Sequence, residues 1–429
     1  MREMKDSGIK WIGVIPSAWR TARVKNVAET MQSGGTPDSS NDTFYVDIEG
    51  GIPWVAIADM STTPYVKDTN KHISEEGRKS KNLIVFEPGT ILYAMYASVG
   101  KVSELAVPAT INQALLAIVL NSSIDGSFFK YALNAWEPYI ISESNGTTQF
   151  NLNANKVANL CFPMPNRLEQ ESIVRYLDTK CAQVDTLIAN VQAQIEKLKA
   201  YKQSLIAEVV TKGLDPTVPM KDSCVEWIGE IPAHWGVTRI KNMFELWNER
   251  NDEADLTKVN LISLYTDLGV VQHSDLTATT GNRAVTAEGY KIVRKHDIVV
   301  NIILCWMGAV GMSQYDGVTS PAYDIYRPLK DTNSEYYHYL FRTNRFNGEC
   351  YRYGRGIMMM RWRTYSTEFR AINIPCPPAE EQKKIVTHLN EKCNKVDQLI
   401  AIKQAKIEKL EQYKRSLIYE YVTGKKEVR

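Results

Sequence analysis

Along residues 169–212 the apolar side chains recur in steps of three and four: Leu177, Cys181, Val184, Ile188, Val191, Ile195, Leu198, Leu205 and Val209. This is one face of an α-helix and, sustained over this length, a heptad seam, broken only at Lys202. Residues 381–423 repeat the pattern with Leu389, Cys393, Val396, Ile400, Ile407, Leu410, Leu417 and Tyr421. Lys414 interrupts the second seam at the matching place, and Lys403 stands where Val191 did. No Pro or Gly interrupts 169–212, so the pattern predicts a rod of roughly 66 Å. Two seams in one chain most simply pack on each other, and a two-fold relation between them would make the pair antiparallel. The other arrangement is two separate amphipathic helices, each packed on its own domain.

Between the seams the periodicity shortens. Apolar runs at 52–58, 82–85, 90–97 and 115–120, set off by Gly, Pro and Asn, predict strands. So do 259–265 and 298–304, while 127–134 and 334–343 predict helices. The fold class is therefore α/β (α+β): two globular domains joined by two long helices. Pro-rich stretches at 161–166 and 374–379 mark the helix starts, because Pro disfavours helix in the residue before it. Residues 212–220, with Gly213, Pro216 and Pro219, read as a linker.

The chain repeats itself. Residues 5–27 and 221–243 are identical at 12 of 23 positions, and 169–211 and 381–423 at 26 of 43. Residues 28–165 and 244–371 occupy equivalent places and share only traces. One framework, used twice, carries two different inserts. The expected organisation is a first domain at 1–165, a spacer helix at 166–213, a second domain at 214–371 and a second spacer helix at 372–429.

Composition narrows the class. The net charge is +2, with 44% apolar and 23% charged residues, which excludes a disordered chain, a collagen and bulk charge binding to nucleic acid. The first residues carry no apolar stretch and read as lacking a signal peptide. The apolar run at 298–312 is too short to span a bilayer and reads as a buried strand and turn. Seven scattered cysteines without a CxxC pair point to free thiols in a reducing cytoplasm. The near-zero total hides unlike parts. The first insert holds 8 basic against 14 acidic residues, whereas 345–363 holds five arginines against one acid.

Catalytic patterns are missing. The sequence has no phosphate-binding GxxxxGK[ST] loop, no HExxH, no GxSxG and no N-P-P-[YF] stretch. Asp178 and Lys180 end like a nuclease triplet but lie on a seam-bearing helix. Nucleic-acid contact is the better lead. Arg345, Arg352, Arg355, Arg361 and Arg363 interleave with Phe346, Tyr351, Tyr353, Trp362 and Tyr365, with Gly354 and Gly356 loosening the backbone. Arginine binds phosphate bidentately and reads guanine, and aromatics pack on sugars or bases. The competing reading is a strand with alternating surface arginines and buried aromatics. The same place in the first insert offers Asn145, Thr147, Thr148, Gln149 and Asn151, neutral groups suited to adenine or to plain turns. Its basic residues cluster instead at Lys67, Lys71, Arg78, Lys79 and Lys81.

The paired WIGxIPxxW stretches at 11–19 and 227–235, the GGTP at 34–37 with IPWV at 52–55, and the EQxxIVxxL…VDxLIA…IEKL…YKxSLI helices resemble a type I restriction-modification specificity subunit. The GGTP-IPWV pair is confined to the first insert, so the inserts come from different recognition types. The resemblance implies two target-recognition domains, each reading half of a split, asymmetric DNA site. It implies conserved helices forming an antiparallel coiled coil, on which two methyltransferase (M) subunits dock and restriction (R) subunits join. S-adenosylmethionine, ATP and Mg would belong to those partners, and this chain would be non-catalytic. The alternative is a tandem coiled-coil interaction scaffold without a DNA role.

Overall fold

A computed structural model describes residues 2–47, 50–60, 64–96, 99–143, 152–273, 286–329, 331–356 and 362–428. The chain divides into two compact units, Met1–Val191 with Ala405–Arg429, and Gln192–Gln404. Both long helices, Arg167–Lys212 and Ala379–Val422, pass from one unit into the other.

Among the described residues of the first unit, a five-stranded sheet runs in the order Ala28–Ser33, Leu115–Leu120, Ile91–Ala94, Val102–Leu105, Tyr65–Val66. Only the last pair is parallel. A four-stranded sheet covers one side with Thr110–Ile111, Ile52–Val55, His72–Ile73 and Tyr45–Val46. The helix Gly126–Glu143 contributes Phe128, Phe129, Ala132 and Leu133 to a core with Ile91, Tyr93, Leu116 and Ile118.

The second unit builds its main antiparallel sheet from Phe244–Trp247, Tyr323–Pro328, Ile298–Asn301 and Val310–Met312. That order matches the first four strands of the first unit's five-stranded sheet. The inserts thus share a strand plan that their sequences conceal. After the fourth chain-order strand, each turns into a helix, Gly126–Glu143 or Ser334–Phe341.

The framework pieces close each unit in the same way. Trp19 and Trp235 are buried, and their indole N–H groups donate to Glu169 at 3.0 Å and to Glu381 at 2.7 Å. Strand Arg20–Arg23 pairs with Cys161–Met164, and Gly236–Arg239 pairs with Asn373–Cys376. Gln170 and Gln382, each 1% exposed, donate to the carbonyls of Pro165 and Pro377. Their side-chain oxygens accept from the backbone N–H of Asp125 and Asn333, the residues that introduce each insert's helix. In the first unit the Tyr419 hydroxyl and the Lys425 ammonium donate to the carbonyls of Trp11 and Ile12, seating the N-terminal piece against the last helical turns.

The seam residues Leu177, Val184, Ile195, Leu389, Val396, Ile407 and Leu417 are buried. Ile188, Leu198, Leu205, Ile400 and Leu410 are half-buried. Lys202 and Lys414, which interrupt the apolar pattern, reach Asp397 and Asp185, each at 2.7 Å. The residue pairs run in opposite directions along the two helices within each unit. Tyr176 meets Tyr421 and Asp185 meets Lys414 in the first, and Gln194 meets Lys403 and Lys202 meets Asp397 in the second.

One expected strand needs correction, and one competing reading falls. Residues 82–85 form no strand. Asn82 sits at φ 48°, the Leu83 N–H donates back to Arg78, and Leu83 packs on Trp54 and Ile73 without a ladder partner. The arginine-rich segment is no alternating strand either. Asn344–Tyr353 is a helix capped by Thr343, burying Phe346, Glu349 and Cys350 at helical spacing.

Candidate nucleic-acid interface

The helix Asn344–Tyr353 separates two kinds of side chain. Its inner face packs Phe346 on Phe341 and Phe369, and places Cys350 beside Cys305. Its outer face exposes Arg345, Tyr351 and Arg352. The Arg352 guanidinium donates to the buried Glu349 carboxylate, from Nε at 2.8 Å, and this hydrogen bond holds the arginine's pKa above its ordinary value. Arg355 pairs with Glu368 at 2.6 Å and forms a two-way backbone bridge with Arg363. Two of the arginines are thereby oriented by the protein itself. Arg345 and Arg363 are exposed and make no ion pair among the described residues. Arg361 lies outside the described residues.

Aromatic rings tie this segment together. Trp362 stacks on Tyr351 with centroids 4.8 Å apart, donates to the Tyr351 carbonyl at 3.0 Å, and is half-buried. Trp306 also meets Tyr351, edge-on at 5.7 Å. The Arg352 guanidinium lies over the half-buried Tyr353 ring. A Cβ on Gly354 would fall 2.2 Å from the Trp362 indole nitrogen, so this glycine permits the close approach of the ring. Sequence reasoning did not connect the turn Cys305–Met307 with this surface, although it exposes Met307 beside buried Cys305. The surface therefore joins cationic, planar aromatic and apolar groups, a combination suited to phosphate, sugar and base edges.

The basic residues of the first insert are less concentrated. Arg78 donates to Glu75 and to the Leu83 carbonyl, and Lys79 lies 3.6 Å from the same Glu75. The Arg78 hydrogen bond pulls the Glu75 pKa down to about 2. Lys71 sits over the Tyr45 ring, and Lys67 and Lys81 are exposed. Asn145, Thr147, Thr148, Gln149 and Asn151 lie outside the described residues. The two glycine-rich and Trp-bearing motifs of this insert meet in space: Trp54 donates to the Gly35 carbonyl at 3.0 Å, and Tyr45 donates to the Pro37 carbonyl at 2.9 Å. A Cβ on Gly34 would stand 1.9 Å from the Ile111 carbonyl oxygen, which explains the glycine.

Asp178 of the nuclease-like triplet accepts from the Tyr131 hydroxyl at 2.7 Å, a bond that joins the first insert's helix to the long helix. No helix among the described residues is long and apolar enough to cross a membrane.

The model for the type I restriction modification DNA specificity domain matches residues 16–197 and 232–412. The putative type I restriction enzyme MjaX specificity subunit of Methanocaldococcus jannaschii is 24% identical over 437 residues, covering 96% of this chain and 95% of that one. The MjaVIII specificity subunit of the same organism is 23% identical, covering 96% and 93%. A chain solved in a study of complex assembly and conformational transition of the type I R-M system superposes with a TM-score of 0.65 at 14% identity, covering 95% of this chain and 98% of that one. That last likeness is one of fold.

Proposed function

The chain belongs to the type I restriction modification DNA specificity family, and on that premise we propose that its two inserts each read one half of a bipartite, asymmetric DNA site. The observation that carries this reading is a duplicated framework holding two unlike surfaces. The Trp–Glu, Gln–carbonyl and Lys–Asp bonds recur in both units, while the arginine-rich helix has no sequence counterpart in the first insert. Unlike readers on a repeated frame make a non-palindromic target.

In this reading the long helices pair as an antiparallel coiled coil and their length sets the gap between half-sites. The 46 residues of the first helix correspond to roughly 69 Å, about two turns of DNA at ~34–36 Å each. The repeated frame offers two equivalent places for methyltransferase subunits, with restriction subunits joining the complex. S-adenosylmethionine, ATP and Mg serve chemistry on those partners, and this chain contributes recognition in the cytoplasm. The acidic first insert fits an adaptor whose partners supply positive surface around the duplex, because phosphate neutralisation supplies much of the affinity.

Co-expression with the cognate methyltransferase followed by methylome sequencing tests the reading. A split adenine-methylated motif is expected. A stable complex that produces no new methylation would refute it.

A further inference from the structure

The outer face of the helix Asn344–Tyr353 carries Arg345, Gly348 and Arg352, spaced by three and then four residues and so aligned along the helix. All three are exposed. Two features of this face serve no purpose inside the folded chain.

The first is Gly348. Glycine inside a helix is less stable than alanine, because its backbone loses more freedom on folding. Its φ is not left-handed, and a Cβ placed there meets nothing within 4 Å. Neither backbone conformation nor internal packing therefore requires this glycine, in contrast to Gly354 under the Trp362 ring. What the missing side chain does provide is close access to the helix backbone from outside.

The second is the way Arg352 is held. Glu349 is 5% exposed, whereas the Arg352 side chain is 61% exposed. The buried carboxylate accepts along the side edge of the guanidinium, from Nε at 2.8 Å and from Nη2. That pairing fixes the guanidinium plane. Its end edge, formed by Nη1 and the second N–H of Nη2, meets no acceptor among the described residues. Two parallel N–H groups on this edge match the O6 and N7 acceptors of guanine. Phosphate is the poorer match. Glu349 neutralises the arginine, and the exposed Glu226 adds a second negative charge nearby. Little net attraction then remains for a phosphodiester, while donors aimed at a base edge keep their value. Arg345 has no ion pair among the described residues and keeps its full charge.

We infer that this face lies directly against the duplex and that Arg352 reads a guanine in the half-site of the second insert. Glu349 is its positioning residue. Arg345 contacts phosphate, and Gly348 leaves the space between them for the DNA to enter. The inference rests on the half-site reading and adds to it the base and the residue that recognises it.

The test co-expresses full-length variants with the cognate methyltransferase at limiting levels. It scores base preference position by position in the methylome, beside the melting temperature of each purified chain. Arg352→Gln should lower the preference for a G·C pair at one position by at least about ten-fold, equivalent to roughly 1.4 kcal/mol, and leave the other half-site intact. Glu349→Gln should loosen that same position, since a neutral amide holds the guanidinium less firmly. Arg345→Ala should lower methylation evenly across sites without altering the motif. Gly348→Ala should raise the melting temperature and yet lower methylation several-fold, a combination that a glycine with a purely structural role does not give. If Arg352 only neutralises Glu349, its replacement changes the melting temperature and leaves the base preference intact at every position. That result overturns the inference, as does full methylation by Gly348→Ala or a second-insert half-site without a G·C pair. A wild-type complex that methylates no split motif sinks the half-site reading itself, so the two failures are distinguishable.

Discussion

Replacing Gln170 by Met keeps the volume of a side chain that is 1% exposed and removes both of its polar ends. The structure states what is then stranded. The Pro165 carbonyl loses its donor at 2.9 Å, and the Asp125 N–H loses its acceptor at 2.8 Å. Water has little access to repair either. Each orphaned buried group costs about 1–3 kcal/mol, so partial relaxation of both gives an expected loss of roughly 3 kcal/mol. Gln382→Met strands the Pro377 carbonyl and the Asn333 N–H in the same way and should cost about as much. Urea denaturation by tryptophan fluorescence gives the midpoint shift. Two units make a single two-state fit unsafe, so amide exchange at Asp125 and Asn333 supplies a local readout. Exchange should accelerate at Asp125 in the first variant and at Asn333 in the second. A loss below about 1 kcal/mol in both variants, with unchanged exchange at both amides, would refute the assignment of these glutamines as clasps between insert and helix.

Three further outcomes are expected. Burial, with help from the nearby Arg342 guanidinium, pushes the His338 pKa down to about 3, and its Nδ1 accepts the Met312 N–H at 3.1 Å. Below about pH 6.5 the unfolded imidazole takes up a proton that the folded ring refuses, so stability falls with pH by up to about 1.4 kcal/mol per unit until the folded pKa is reached. His338→Asn should flatten that dependence in urea titrations between pH 6.5 and 4.5. Gly354→Ala should unseat Trp362 from Tyr351 and weaken reading of the half-site assigned to the second insert while sparing the other, as scored by methylome sequencing. A double-mutant cycle on Lys202 and Asp397 should return no more than about 1 kcal/mol, because both side chains are partly exposed, and the Lys414–Asp185 cycle should agree within error.

The seams were readable because burial on a helix imposes a 3.6-residue period that composition cannot imitate. Lys202 and Lys414 looked like interruptions for the same reason: their partners lie 195 and 229 residues away, beyond any local pattern. The helix Asn344–Tyr353 was hidden by tyrosines and arginines that suit a strand equally well, although Phe346 and Cys350, four apart, marked its buried face. Residues 82–85 show the opposite error. An apolar run is a strand only where a partner strand exists, and Leu83 is buried by side chains instead. Of the candidate contacts, the structure separates Arg352 and Arg355, held by Glu349 and Glu368, from Arg345 and Arg363. Sequence order could not separate them, because Glu368 lies beyond the arginine cluster.

By itself the sequence determined the duplication, the two long helices with their buried faces, and the family, because each is written in local periodicity or in the identity of short motifs. Tertiary structure decided how the frame closes and how the inserts are built. Trp19 finds Glu169 and Trp235 finds Glu381 across about 150 residues, and two inserts with only traces of shared sequence adopt the same order of four strands. The physical reason is that a sheet needs only apolar faces and paired backbones, which many sequences satisfy. Buried hydrogen bonds instead depend on which particular groups folding brings within 3 Å, and that is a property of the assembled chain.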